Sequence, residues 1–422
     1  MAHGDYIDAA EAMALLDVRQ QTLYAYVSRG WIRSIAQPGQ KTKLYSRDDV
    51  ERVRKRSAAR AGHGAVAASA MNWGEPIFPT SITEITPRGP RYRGLLACDL
   101  VRDGISFEAV AELLWTARLP AHSPAWPVQR PSRELLVLAQ AMSESRPRSN
   151  VLEVLAAVVL MQGMNRGATA ERLAGDSTLC NAREIVQAMV ACCGFLGPQH
   201  AYRPMRRGET VVQALLHSLG VAATLENAEA LRALLILMAD HELPPGTFNA
   251  RVVASAGGSL HSCVASALCA TSGLQVGRMY ERVQDFLGHG RTRPELIRRA
   301  WKLHAQGLGV PGFHHPLYPD GDPRAAQLLD IVRRRALTRE LRAIFRFLED
   351  MQATAGLHPR QELALVVLSR AMDLPRQAAA ALFALSRLAG WVAHVREQHA
   401  EGTMLRPRAK FTSTGQQGPQ AP

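Results

Sequence analysis

Apolar residues recur at helical spacing through most of the chain from about residue 95 to residue 400, and this pattern constrains the fold more than any other feature. Segments such as "NVLEVLAAVVLMQGM" (150–164) and "LENAEALRALLILMADHE" (225–242) carry it, whereas only "SITEITP" and "RYRGLL" look like strands. Segments of this kind bury their apolar faces by packing helix on helix. Because 422 residues exceed one ordinary core, we expect two or three folded units, the largest of them all-α.

The N-terminal stretch has a different pattern. An apolar helical period breaks at 17–19, a second helical segment ends at Gly30, and two short strand-like pieces surround 38–39. A helical segment capped by Ser and Asp residues follows. The stretches "TLYAYVSRG" (22–30) and "LYSRDDVERV" (44–53) resemble the MerR-type winged helix-turn-helix.

This resemblance implies a DNA-binding unit, in which the second helix enters the major groove and the hairpin wing lies along the phosphates. Residues 41–60 carry eight basic side chains against three acidic ones. A solvated helical face is the ordinary explanation of such a charge run, and docking onto another protein remains open. The candidate DNA-binding residues are Thr22, Tyr24, Arg29, Lys41, Lys43 and Arg47.

Charge and cysteine usage limit the partners and the compartment. The formal net charge of +13 suits an anionic partner such as nucleic acid, a phosphorylated cofactor or a small polycarboxylate. The six cysteines include no CxxC pair, so we expect reduced thiols and no metal site.

No apolar run reaches the ~18–20 residues of a membrane span, and the N-terminus has no signal-peptide pattern. We therefore expect a soluble, cytoplasmic protein that does not enter a membrane.

Cationic side chains interrupt otherwise apolar surroundings at three places. His241 follows an apolar helix, Arg387 lies inside "ALFALSRLAGWVAH", and Arg406 stands near the C-terminus. A buried cation is costly unless it is paired. Each one alone is best explained by a structural salt bridge or a satisfied core histidine. Together, without matching interior acids, they indicate a small polycarboxylate ligand, which arginine binds bidentately.

From about residue 73 to the C-terminus, the chain resembles the citrate synthase family. The resemblance rests on "YRGLLACDLVRDGISFEAVAELLWTARLP", "DHELPPGTFNARVVAS", "GFHHPLYPDGDPRA" (312–325) and "LFALSRLAGWVAHVREQ", in this order and spacing. It implies a two-domain all-α fold, a homodimer, and condensation of acetyl-CoA with oxaloacetate followed by hydrolysis of citryl-CoA. The expected domains are a winged helix at 1–60, a linker at 61–76, a large helical domain at 77–275 and 376–422, and a small helical domain at 276–375.

The resemblance also implies the site residues. Oxaloacetate, or the product citrate, is surrounded by His241, His315, Arg324, Arg387 and, from the neighbouring subunit, Arg406. His315 matches the histidine that hydrogen-bonds and protonates the oxaloacetate carbonyl. No bound cofactor is expected, and acetyl-CoA or another acyl-CoA is the second substrate.

The sequence departs from the family pattern at its two other catalytic elements. Val276 replaces the histidine that hydrogen-bonds the enol of acetyl-CoA, Arg278 replaces a glycine of the same loop, and Gln275 is the nearest side chain with a donor. Glu362 stands where the family has the aspartate that removes the methyl proton. Losing one preorganised donor costs roughly 10²–10³ in rate. His314 stands where the family usually carries glycine.

Three hypotheses follow. In the first, condensation is weakened or lost, and ligand binding to the helical body regulates DNA binding by the winged helix. In the second, the protein is an active citrate or 2-methylcitrate synthase with an accessory N-terminal domain, and His315, Glu362 and Gln275 are its catalytic residues. In the third, it is a partner subunit of a normal paralogue.

Overall fold

A computed structural model describes residues 6–16, 18–28, 32–36, 43–47, 49–51, 53, 78–145, 150–164, 175–288, 290, 292–306 and 308–407. Its contacts divide the chain into two compact units. One combines Met1–Pro79 with Arg406–Pro422, and the other is Thr80–Leu405. The expected division of the helical body at residues 276 and 375 stays a prediction, and the expected linker at 61–76 lies outside the described residues.

The N-terminal unit is a small antiparallel sheet with a pair of helices. Its elements are β1 (Tyr6–Ile7), α1 (Ala9–Leu16), α2 (Gln20–Ser28), β2 (Ser34–Ala36) and β3 (Lys43–Ser46). The strands are arranged in the order β1-β3-β2, and the unit buries an apolar core of its own. The predicted helix pair and the predicted hairpin strands are therefore confirmed, whereas the additional strand β1 was not predicted.

The second unit begins with another small antiparallel sheet. The strands are β4 (Thr83–Thr86), β5 (Gly89–Tyr92) and β6 (Leu95–Leu96), paired in that order. They confirm the two strand-like segments of the sequence.

The rest of the second unit is helical. The helices are α3 (Ala97–Arg102), α4 (Phe107–Thr116), α5 (Arg133–Ser145), α6 (Val151–Met164), α7 (Gly175–Cys192), α8 (Val211–Leu219), α9 (Leu225–Leu237), α10 (Pro245–Ser255), α11 (Leu260–Thr271), α12 (Gly277–Gly288), α13 (Arg293–Ala305), α14 (Pro323–Arg333), α15 (Arg339–Ala355), α16 (Gln361–Ala371) and α17 (Ala378–Glu401).

Three long helical-period segments of the sequence are each broken into two helices. The segment 99–120 divides between α3 and α4 at 103–106, the segment 248–273 divides between α10 and α11 at 256–259, and the segment 361–398 divides between α16 and α17 at 372–377. Gly104 lies in the first break, tandem glycines occupy the second and Pro375 lies in the third, and both residue types interrupt helices. The mostly helical composition expected for the body is confirmed.

One apolar core runs through the second unit, from Ile82 to Val395. Its central element is α17, which packs against α4, α9, α10 and α11. By length and composition this helix could cross a membrane, but its apolar stretch is entirely buried within the fold. Burial on all sides explains why α17 is apolar all round.

Candidate active site

The turn at 312–325 is held against the start of α16. The Arg360 N–H donates to the Gly312 carbonyl at 2.8 Å, and the His314 N–H donates to the His358 carbonyl at 3.0 Å. Gly312 has φ +83°, and a Cβ there would lie 2.8 Å from the Leu363 Cβ. Only glycine satisfies both constraints. The turn that carries His315 is thus fixed beside the helix that carries Glu362.

Two aromatic rings of this turn, His315 and Tyr318, meet the ring of His241. The Nε2 of His241 lies 3.1 Å from the Tyr318 hydroxyl, and the His241 ring centroid is 5.4 Å from that of His315. The Leu317 N–H donates to Nδ1 of His315 at 3.1 Å. Because Nδ1 accepts, this hydrogen bond assigns the proton of neutral His315 to Nε2. His315 therefore offers an Nε2–H donor.

Both histidines are held neutral. Burial, followed by the charge of Arg324, lowers the pKa of His315 to about 4. Burial, with the charges of Arg324 and Arg387, lowers the pKa of His241 well below its ordinary value. Desolvation disfavours the charged imidazolium, and nearby cations add to that effect. At neutral pH, His315 therefore donates without carrying a charge.

Arg324 is fully buried and only partly paired. Asp322 caps α14 and accepts from the Arg324 Nε at 2.9 Å and from its Nη2 at 2.8 Å. Nη1 has no hydrogen-bond partner among the described residues. Burial lowers the pKa of Arg324, but the Asp322 carboxylate more than offsets this and the net shift is upward. The arginine is fixed by Asp322 and keeps one nitrogen for a ligand.

Arg387 is less compensated. Arg387 is 2% exposed, and neither its Nε nor its Nη1 has a hydrogen-bond partner in the described part of the chain. Its guanidinium carbon lies 5.1 Å from the Phe383 ring centroid. Burial lowers the pKa of Arg387, although the Asp240 charge opposes that shift. Unpaired N–H groups on a buried cation favour binding of an anion, because the anion restores the lost solvation.

Glu362 lies in the first turn of α16 and is 6% exposed. Its Oε1 accepts from the Arg360 Nη2 at 2.8 Å, whereas its Oε2 has no partner among the described residues. A carboxylate near a helix N-terminus is stabilised by the helix dipole. Glu362 therefore has one anchored oxygen and one oxygen available to accept a proton.

A second, fully buried pair supports His241. The Nε2 of His394 in α17 lies 3.3 Å from Oδ2 of Asp240, in the segment that follows α9, and both residues are 0% exposed. Although burial alone favours the neutral acid, His394 and Arg387 hold the pKa of Asp240 below its ordinary value. A Cβ at Gly390 would lie 2.1 Å from the Asp240 Oδ1. The segment before His241 thus rests directly on the α17 backbone.

Tyr92 fixes the same segment from the other side. Its hydroxyl lies 3.0 Å from the Ile236 carbonyl and 3.2 Å from the Leu237 carbonyl, at the end of α9. Both contacts are buried. The position of His241 is therefore set jointly by β5 and α17.

Two further predicted site residues, Gln275 and Arg406, are exposed to solvent. Gln275 is exposed in the turn between α11 and α12, whereas Val276 is half-buried and packs on the apolar core. Arg406 is exposed in the C-terminal segment and belongs to the other compact unit. The roles expected for Gln275 and Arg406 stay predictions.

The candidate DNA-binding residues are described only in part. Tyr24 is 50% exposed on α2, Thr22 is half-buried on the same helix, and Lys43 is exposed on β3. Arg47 forms an ion pair with Glu11 of α1. Arg29 and Lys41 lie outside the described residues.

Several residues of the site were not predicted from the sequence. Tyr318 and Asp322 lie within the quoted turn, and Asp-Pro ahead of a helix is a recognised cap signal, so Asp322 was detectable. Tyr318, Asp240 and His394 carried no sequence signal, because their partners lie 77 or 154 residues away in the chain.

Sequence comparison with known proteins identifies the family to which the chain belongs. The family pattern for "Citrate synthase, C-terminal domain" matches residues 71–408. A citrate synthase of Mycolicibacterium smegmatis is 28% identical over 367 residues, covering 81% of this chain and 94% of the relative. Citrate synthase 2 of Bacillus subtilis is 26% identical over 360 residues, covering 80% of this chain and 94% of that relative.

Solved structures share the architecture. A ternary complex of carboxymethyl coenzyme A and oxaloacetate with citrate synthase from Thermoplasma acidophilum has a TM-score of 0.71 at 21% identity, covering 82% of this chain and 96% of that one. A citrate synthase from Thermotoga maritima has a TM-score of 0.67 at 21% identity, with the same coverage. At this identity the likeness establishes the fold alone.

Proposed function

Because the chain belongs to the citrate synthase family, we propose that its helical body condenses an acyl-CoA with oxaloacetate. The observation that carries the proposal is the set of buried, unpartnered nitrogens on Arg324 and Arg387, next to a neutral histidine donor on His315. Two cations with free N–H groups suit a dicarboxylate, and a neutral donor suits the keto oxygen between its carboxylates.

In this proposal, each residue has a separate task. Arg324 Nη1 and Arg387 Nε and Nη1 bind the two carboxylates, and His241 borders the same space. Glu362 accepts a proton from the acyl carbon next to the thioester through its free Oε2. That carbon then forms a bond to the keto carbon of oxaloacetate, and the keto oxygen takes a proton from Nε2 of His315. Water finally cleaves the thioester and releases CoA.

The loss of the donor at Val276 predicts a slower reaction than the unmodified family site would give. One missing donor to a developing oxyanion costs roughly 10²–10³ in rate. Whether the acyl group is acetyl or propionyl decides between a citrate and a 2-methylcitrate product. The expected homodimer, with Arg406 reaching the site of the neighbouring subunit, is part of the same proposal.

A direct test combines binding and turnover on one sample. Calorimetric titration with oxaloacetate should give saturable binding, and addition of acetyl-CoA or propionyl-CoA should then release free thiol only when oxaloacetate is present. Arg324→Met should abolish oxaloacetate binding, whereas Arg333→Met on the exposed face of the same helix should leave it unchanged. Absence of oxaloacetate binding to the wild-type protein would refute the proposal.

A second candidate function is DNA binding by the N-terminal unit. It is supported by the described helix pair and hairpin, by exposed Lys43 on β3 and by the basic segment 41–60. Phosphate contacts by such a unit make affinity fall steeply with salt.

Fluorescence anisotropy with labelled fragments of the source genome, with and without oxaloacetate, tests it. Lys43→Glu should weaken binding, and Lys302→Glu on α13 serves as the matched control. Absence of salt-dependent binding to any fragment would exclude this function, and binding unchanged by Lys43→Glu would exclude Lys43 as a phosphate contact.

A further inference from the structure

Tyr280 lies in the first turns of α12, directly after the Gln275–Val276 turn. It is 2% exposed, and its ring centroid is 5.4 Å from that of Phe383, the ring that lies beneath the Arg387 guanidinium. Helix α12 packs against both α16, which carries Glu362, and α17, which carries Arg387. Tyr280 therefore lies on a third helix, which packs against the helices that carry Glu362 and Arg387.

The Tyr280 hydroxyl has no hydrogen-bond partner within the described ranges. A buried hydroxyl without a partner costs free energy that a phenylalanine of the same shape avoids. Free buried polar atoms of Glu362, Arg387 and Arg324 accompany it. These four groups lie on four different elements, and together they describe the lining of a polar ligand site.

The hydroxyl is suited to act as a neutral donor. Burial and the nearby Glu362 carboxylate raise the pKa of Tyr280 well above its ordinary value, and Arg387 and Arg324 reduce that shift only in part. The proton therefore stays on the hydroxyl.

We propose that the Tyr280 hydroxyl is a catalytic donor that hydrogen-bonds the thioester oxygen of the acyl-CoA. When Glu362 removes the proton from the neighbouring carbon, the electron pair of that C–H bond delocalises onto this oxygen. Tyr280 donates to the oxygen without giving up its proton, and the pair then forms the new carbon–carbon bond. The inference rests on the proposed condensation, and it supplies the donor that Val276 lacks.

The variant Tyr280→Phe tests the inference, because it removes only the oxygen. Tyr202→Phe is the matched control, since Tyr202 is a largely buried tyrosine that packs against Phe195. Three quantities are measured on each variant: the rate of oxaloacetate-dependent thiol release at saturating substrates, the oxaloacetate affinity by calorimetry, and the thermal midpoint without ligand.

For Tyr280→Phe we expect kcat to fall by roughly 10²-fold, as for other single donors to an oxyanion. The oxaloacetate affinity should stay within about threefold of the wild type, and the unliganded midpoint should rise by about 2 °C as the unpaired hydroxyl is removed. Tyr202→Phe should leave kcat unchanged.

The outcomes separate the two proposals. A wild-type protein that releases thiol together with a Tyr280→Phe variant of unchanged kcat would overturn the inference and leave the proposed function intact. A wild-type protein that releases no thiol from either acyl-CoA would overturn both. If Tyr280→Phe lowers the thermal midpoint or does not fold, the hydroxyl has a structural role and the inference is wrong.

Discussion

Replacing Arg387 by methionine tests most directly whether the buried cations exist for a ligand. Methionine has similar length and is apolar, so Arg387→Met removes the charge and the two free N–H groups while filling much of the same volume. The helix is buried from Ala378 to Val395, and its packing there should be undisturbed.

The magnitude follows from the contacts. Nε and Nη1 of Arg387 are both unpartnered, and a hydrogen bond to a charged group contributes about 1.5–3 kcal/mol. Losing two such bonds to a carboxylate should cost about 3–6 kcal/mol of binding free energy, which is a roughly 10²–10⁴-fold weaker oxaloacetate affinity. Without ligand, the free energy of unfolding should rise by about 1 kcal/mol or more, because an incompletely solvated charge has been removed from the interior.

Calorimetry with oxaloacetate and chemical unfolding of the unliganded protein measure the two effects. Arg333→Met is the control for binding, since its side chain is 48% exposed on α14 and its loss should leave the oxaloacetate affinity unchanged. An oxaloacetate affinity within about threefold of the wild type would refute the role of Arg387 in carboxylate binding. A lower free energy of unfolding would mean that the protein itself, rather than a ligand, satisfies this arginine.

Three further predictions concern the base, the turn and the histidines. Glu362→Gln should lower thiol release by about 10²–10⁴-fold in a coupled assay while calorimetric oxaloacetate affinity is kept, because only the proton acceptor is lost; retained turnover would exclude Glu362 as the base. His314→Gly should raise the free energy of unfolding by about 0.5–1 kcal/mol in urea titrations, because the exposed His314 has φ +58° and glycine adopts this conformation without strain. A lower free energy of unfolding would mean that the His314 side chain stabilises the fold. The free energy of unfolding should fall as the pH decreases from 6.5 to about 4, because the His315 imidazole of the unfolded chain takes up a proton that the folded protein excludes. In thermal scans over this range, the midpoint of His315→Gln should depend less steeply on pH than that of the wild type. An unchanged dependence would contradict the lowered pKa of His315.

The sequence alone determined the helical class of the body and most of the candidate residues. Helical periodicity is a local property, so the mostly helical body, the strands β4 to β6 and the N-terminal helix pair could be predicted from neighbouring residues, whereas strand β1 and the breaks within the long helical segments were not predicted. The family resemblance then identified His241, His315, Arg324, Arg387 and Glu362 as a set. All five residues are buried in the fold.

Only the tertiary structure decided how these residues are paired and which of them are free. Arg324 and Arg387 look alike in the sequence, yet Asp322 binds the first through two nitrogens, whereas Nε and Nη1 of the second have no hydrogen-bond partner among the described residues. Tyr280 resembles an ordinary core aromatic on an amphipathic helix until α16 and α17 are packed around it. Hydrogen-bond partners and desolvation depend on groups that are far apart in the chain and come together only when it folds, so periodicity and spacing carry no record of them.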